Sequence, residues 1–370
     1  MNARPRSRPP AQAPTFAEIV EQTLAPARLQ ELSHPEDWPE PPFSSAELPR
    51  GIWDRAIGDL ARDILNRPSH QFRARLCALA WRLSDGPGAT RGTAPAALPA
   101  SLPSLIEVIH AGSLIVDDIE DGSLRRRGAP CLHRLHGVPL ALNAGTWMYF
   151  WAMDLVEAGD LPVTARDQIR RALVAALYRG HLGQSLDLSV AIGDMPRQWV
   201  YRTVATSTML KTGALMELAA RLGALAAEAA APRVDALARF GRRLGVGLQM
   251  LDDFGNLNAP ATETPDSKAL EDLRNGRPTW PWALAARELD DPTFADLQAS
   301  ARALRGGGEL DGARARALAA ELRMAVGLKG RRQTATYLER ALGDLRAEVG
   351  ERDELELIAQ EIERLEGAYG

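Results

Sequence analysis

The sequence predicts an all-α fold, and three observations carry that reading. From Ile52 onward apolar residues recur at three- and four-residue spacing, the period of a helix with one buried face. Ala, Leu and Arg, all strong helix formers, dominate the same region. Alternating segments rich in Val, Ile and Thr are almost absent, so no sheet is expected.

Taken in order, residues 1–50 are rich in proline and read as a tail and extended arm, interrupted by a short amphipathic helix near residues 15–32. Residues 51–370 read as one large helical domain without internal repeats. The breaks at residues 84–101, 258–266 and 305–308 are rich in Gly, Pro or Ala and have the character of loops between helices. The chain has 370 residues, 44 basic and 48 acidic, for a net charge of −4, so neither nucleic acid nor an anionic membrane is the expected partner. Cys77 and Cys131 are the only cysteines and form no CxxC pair, which argues against a zinc site or a disulfide framework. No apolar run has the length of a membrane span. The N-terminus has arginines but no apolar secretory core, and Pro5, Pro9, Pro10 and Pro14 favour a disordered tail over a transit peptide. A cytoplasmic location is therefore expected.

Two acidic clusters carry the chemistry. Asp117 and Asp121 are four apart, so a helix places them on one face, flanked by Asp118. Asp252, Asp253 and Asn256 repeat this spacing. An isolated acidic pair is ordinarily a solvated face. Here each cluster follows a largely apolar stretch, residues 114–116 and 248–251. Buried carboxylates are costly unless paired or bound to a cation. Two such clusters on one cavity would suit magnesium, which takes few carboxylates and fills its shell with water and phosphate.

Basic groups stand nearby. Arg125, Arg126, Arg127 and Gly128 read as a helix C-terminal cap, a reading compatible with anion binding by the guanidinium groups. Lys211 interrupts an apolar helical stretch; Lys268 and Arg277 are further candidates.

These motifs together resemble the trans-prenyl diphosphate synthases, the polyprenyl synthetase family, over about residues 52–282. The first aspartate-rich motif is residues 117–121, followed by Arg126, Arg127 and Gly128, then by residues 129–133, which fit the G-x-P-x-x-H continuation. Asn143 to Gly145, Gly183 and Gln184 with Asp187, Lys211 to Gly213, and Gln249 with residues 252–256 match the later motifs. The two aspartate-rich segments look most like those of eukaryotic-type geranylgeranyl diphosphate synthases. Three positions depart from the pattern. His70 stands where the family has a lysine, in a segment that keeps Arg73 but lacks the usual two glycines; Thr146 and Arg277 replace a common Asp and Lys.

The resemblance implies an isoprenoid synthase-type bundle of about a dozen helices around a deep central cavity, acting as a homodimer. Magnesium, three ions per site, would bind Asp117, Asp121 and Asp252, with Asp118 and Asp253 supporting catalysis. Arg126, Lys211, Gln249 and Lys268 would hold an allylic diphosphate. His70, Arg73, His110 and Arg127 would hold isopentenyl diphosphate, although His110 alone reads as a core histidine. Asn256, Gln184 and Asp187 would support the site. Small Gly112 and Ser113 before the first motif, with a deeper floor formed by some of Trp147, Tyr149, Phe150 and Trp151, would set a C20 or C25 product. A terpene cyclase on the same fold and a non-catalytic synthase subunit are the rival readings. The altered lysine position favours the cyclase, and intact aspartate motifs oppose the subunit.

Overall fold

A computed structural model of the chain describes residues 14–33, 49–84, 97–258, 270–304 and 311–369. The helices, in chain order, are α1 Phe16–Thr23, α2 Pro26–Ser33, α3 Arg50–Trp53, α4 Asp59–Asn66, α5 Phe72–Leu83 and α6 Ser101–Glu120. They continue as α7 Leu132–His136, α8 Val138–Glu157, α9 Val163–Ser189, α10 Arg197–Thr208, α11 Ala214–Ala226 and α12 Ala231–Gly255. The last six are α13 Glu271–Arg274, α14 Trp280–Glu288, α15 Asp291–Leu304, α16 Asp311–Leu322, α17 Leu328–Val349 and α18 Asp353–Tyr369. Three π-helical turns, Asp54–Gly58, Met209–Gly213 and Arg323–Gly327, run on from their neighbours, leaving about fifteen rods. The all-α expectation holds.

Local chemistry sets the helix ends that matter for the site. α6 stops at Gly122, whose φ of +67° suits glycine. There the Ser123 N–H donates to the Asp118 carbonyl and the Gly122 N–H to that of Ile119, which is a Schellman closure. α8 and α12 each begin with a proline in the first turn, where no helical N–H is needed. α6 is apolar almost all round and is buried along most of its length, packed chiefly on α8. At their crossing a Cβ on Gly112 would lie 2.7 Å from the Gly145 carbonyl, so the two backbones touch.

The core forms two apolar clusters. The larger contains α6, α8 and α11; the smaller contains Trp282, Phe294 and their neighbours on α14, α15 and α16. α12 serves both, with Leu244 and Leu251 in the larger and Val246, Met250 and Phe254 in the smaller. Among the described residues, no helix is long and apolar enough to cross a membrane.

The N-terminal arm contains α1 and α2 where a short amphipathic helix is expected, and Ile19, Val20, Leu24 and Leu29 are buried in the larger cluster. Thr15 starts α1 with a capping box, its N–H donating to Glu18. There is also a minimal sheet. Arg125–Arg126 pairs antiparallel with Ala129–Pro130, and Arg127 and Gly128 turn the corner with φ of 52° and 80°. Two positive φ values are what a tight hairpin of the primed type requires. Gly128 is thus a hairpin residue, and Gly122 ends the helix. Strands of two residues leave no alternation in a sequence to detect.

Candidate active site

A cavity of about 950 Å³ opens between α6, α9, α12 and the loop before α5. Asp117, Asp121, Asp252, Asp253 and Asn256 all line it, so both acidic clusters reach one space. Lys211, Gln184, Asp187, Gln249, Arg126 and Arg127 line it too, as do His70, Arg73 and His110. Asp118 does not; it is 2% exposed behind the wall, where it accepts from Arg126 Nε at 2.8 Å. Lys268 lies outside the described residues.

The helices place these groups in register. On α6, Asp117 accepts from Lys211 Nζ at 2.9 Å, from Gln184 Nε2 at 3.2 Å and from Arg126 Nη2 at 3.3 Å. Lys211 projects from the π-helical turn Met209–Gly213, which α9 approaches closely: a Cβ on Gly183 would sit 2.6 Å from the Lys211 backbone nitrogen. Asp121 accepts from Arg277 Nη2 at 2.7 Å, and the same guanidinium donates to the Asp187 carbonyl at 2.7 Å. On α12, Asp253 accepts from Gln249 Nε2 at 2.8 Å and from the Trp280 N–H at 2.9 Å.

Electrostatics follow from this crowding. Burial, then the neighbouring Asp117, raises the Asp121 carboxyl above the ordinary aspartate range, partly offset by Arg277. Burial, then Asp272, pushes Asp253 well above it. Burial opposes the Lys211 charge, but Asp117 and Asp187 outweigh it and hold the ammonium above the ordinary lysine range.

A second cationic group sits around Glu107, which is 7% exposed. Burial raises its carboxyl, while Arg73 and Arg127 draw it back down. The Ala74 N–H, in the first turn of α5, donates to it at 3.3 Å.

Sequence reasoning did not select Glu107 as a site residue. The available signal was one acid interrupting an apolar helix, three residues before His110. It also passed over Glu120, which accepts from Gln184 Nε2 at 2.6 Å, and Asp272, a further cavity residue beside Asp253 and Arg277.

The product-length candidates divide between the cavity and the packing around it. Ser113 and Tyr149 line the cavity. Gly112 is buried at the α6–α8 contact instead, Phe150 is 66% exposed, and Trp151 is buried with Nε1 donating to Thr23. Trp147 stacks on Trp151. Along α8 only every third or fourth residue can face one side.

Among the described residues, no three His, Cys, Asp or Glu side chains converge to hold a metal by themselves. The oxygens present nevertheless suit magnesium, which needs one or two carboxylates and completes its shell with water and phosphate. Asp121 and Asp253 are held partly against their charge, and Gln184 Oε1 is buried without a hydrogen-bond partner among the described residues. A hard cation would satisfy such groups.

Comparison with known proteins agrees with this geometry. The sequence model of a family described as Polyprenyl synthetase matches residues 54–302. A geranylgeranyl pyrophosphate synthase of Metarhizium anisopliae is 31% identical over 252 residues, 68% of this chain and 67% of that protein. Geranylgeranyl pyrophosphate synthase 2 of Zymoseptoria tritici is 30% identical over 54% of this chain and 58% of its own length. A protein named terpene synthase from Matsumurasca onukii is 31% identical over 50% of this chain and 58% of its own. The chain spans about three fifths of the length of the curated relatives it matches first. In fold it is similar to the geranylgeranyl pyrophosphate synthase of Corynebacterium glutamicum complexed with isoprenyl diphosphate and magnesium. That likeness has a TM-score of 0.71 at 20% identity, over 96% of this chain and 97% of the other.

Proposed function

This chain belongs to the polyprenyl synthetase family, and from that premise we propose that it is a magnesium-dependent prenyltransferase joining an allylic diphosphate to isopentenyl diphosphate. The observation that carries the reading is the placement of two cation groups on one cavity: Lys211, Arg126 and Arg277 among the aspartates, and Arg73 with Arg127 around Glu107.

In this reading Asp117, Asp121 and Asp252 hold magnesium, three ions per site, with Asp253 and Asn256 in support. Magnesium supplies charge that stabilises the departing pyrophosphate. Arg126, Lys211 and Gln249 orient the allylic diphosphate, and Lys268 completes its binding. Arg73, His110, Arg127 and His70 take the second diphosphate. The allylic C–O bond breaks heterolytically, its electron pair leaving with pyrophosphate. The isopentenyl double bond attacks the allylic carbon, a C–C bond forms, and the proton lost from the adjacent carbon passes to pyrophosphate. Apolar Leu114, Val116, Leu177 and Leu215 on the cavity wall exclude water that would quench the cation. Tyr149 stays a neutral phenol, raised by burial and then by Glu120 and Asp117, so it adds no charge beside the chain. The favoured product is C20, with Ser113 and Tyr149 on its path. A homodimer in the cytoplasm completes the proposal.

His70 on the cavity wall, where the family has a lysine, favours a second reading, a cyclase that ionises an allylic diphosphate without isopentenyl diphosphate. Purified protein with magnesium and geranyl, farnesyl or geranylgeranyl diphosphate, with and without isopentenyl diphosphate, separates the two by mass spectrometry. Longer diphosphates that require isopentenyl diphosphate support the synthase. A hydrocarbon or alcohol from one allylic substrate alone overturns it.

A further inference from the structure

We propose that Arg67 is a positioning residue whose guanidinium clamps the hairpin bearing Arg126 and Arg127, and so sets the geometry of both diphosphate sites at once. The proposal rests on the functional reading above for what those sites bind.

Arg67 is 7% exposed, in a residue type seldom buried without partners. It has three. Its Nε donates to Asp63 Oδ1 at 2.6 Å, its Nη1 to the Arg126 carbonyl at 3.0 Å, and its Nη2 to the Pro130 carbonyl at 2.9 Å. The last two acceptors lie on opposite strands of the hairpin. A planar fork of fixed N–H groups holds two such oxygens in one set geometry, which a flexible ammonium with rotatable donors does less rigidly. The hairpin needs this support, because a ladder of two residues per strand has almost no stability of its own.

What hangs from the hairpin gives the clamp its consequence. Arg126 points to Asp118 and Asp117, on the side of the acidic motifs. Arg127, the next residue, faces Glu107 and the second cation group. A shift of the hairpin therefore displaces both guanidinium groups together.

The other side of the clamp is equally well placed. Arg67 follows the last residue of α4 with an extended backbone, ψ 143°, as a residue before proline must. Asp63, one turn earlier, fixes the guanidinium to α4. From Pro68 the chain runs along the cavity as far as Arg73. Arg67 thus ties the segment carrying His70 and Arg73 to the hairpin carrying the other two arginines.

The test compares Arg67→Ala and Arg67→Lys with wild type in initial-rate kinetics and in calorimetric titration with inorganic pyrophosphate and magnesium. Thermal unfolding serves as the fold control. For Arg67→Ala, KM for both substrates is expected to rise by about tenfold or more, with pyrophosphate affinity falling in parallel. Arg67→Lys should lie nearer to alanine than to wild type, and methylguanidinium added to Arg67→Ala should lower KM again. A buried staple with no positioning role would lower the melting temperature and the active fraction while leaving KM and pyrophosphate affinity unchanged, and that result overturns the proposal. If Arg67→Ala does not fold, Asp63→Asn, which loosens the anchor only, should give a smaller rise in both KM values; unchanged values again overturn the clamp. If wild type binds pyrophosphate but elongates nothing, the functional reading fails, and the clamp stands or falls on the pyrophosphate titration alone.

Discussion

Asp121 and Asp253 are the residues where solvation and function conflict most directly. Each is kept above the ordinary aspartate range, first by burial and then by a neighbouring carboxylate. The folded protein therefore holds their protons more tightly than the unfolded chain does. Their ionisation subtracts stability as pH rises through the folded values, and the loss is relieved below them. A bound cation reverses the preference, because it favours the charged form. Binding of magnesium should thus release protons and strengthen as pH rises toward the folded values of these two carboxyls. Titration calorimetry with magnesium alone, in two buffers of different ionisation enthalpy, counts those protons; none released at any pH where the protein stays folded would refute the assignment. A second expectation concerns Lys211. Lys211→Ala leaves Asp117 and Asp187 facing one another and should lower kcat/KM by about a hundredfold or more, measured by initial rates. The aspartates were legible in the sequence because they recur as pairs at helical spacing behind apolar runs. Glu107 and Asp272 were not, since a single acid has no period, and only the fold brings Arg73 and Arg127 to one side of it.

At the scale of the element, α8 explains why only one of its aromatic candidates reaches the cavity. Its residues 147, 149, 150 and 151 are close in sequence yet spread around the helix, and Tyr149 alone of the four reaches the cavity. Tyr149→Ala should therefore lengthen the product, whereas Phe150→Ala should leave chain length unchanged, with mass spectrometry of the dephosphorylated products as the check. The opposite pattern would place the floor on the other face. The α6–α8 contact makes a different demand. Gly112→Ala forces a methyl group against the Gly145 carbonyl and the Met148 Cβ, and should cost about 1–3 kcal/mol in denaturant unfolding. The long helices were readable from apolar spacing. The hairpin was not, because its signal is backbone conformation at two residues, and arginine at positive φ is not a common turn residue.

For the whole molecule, composition and periodicity gave the fold class, while the docking of the N-terminal arm emerged only from tertiary packing. In the homodimer proposed above, the exposed apolar residues Phe150 and Met153 of α8 and Val174, Tyr178 and Leu182 of α9 would be candidates for the surface a second copy covers. Sedimentation equilibrium should then give twice 40.1 kDa. Tyr178→Glu should shift that mass toward the monomer, and an unchanged mass would move the interface elsewhere. α12 has a consequence of its own. It has buried side chains in both apolar clusters and carries the second acidic motif at its C-terminal end. Freeing its backbone amides requires both clusters to open, so they should be the slowest in the protein to take up deuterium, slower than those of α15 or α16. The aspartates of that motif would then keep their spacing through excursions that loosen the smaller cluster. The fold has set a half of its chemistry on the part of the chain that gives way last.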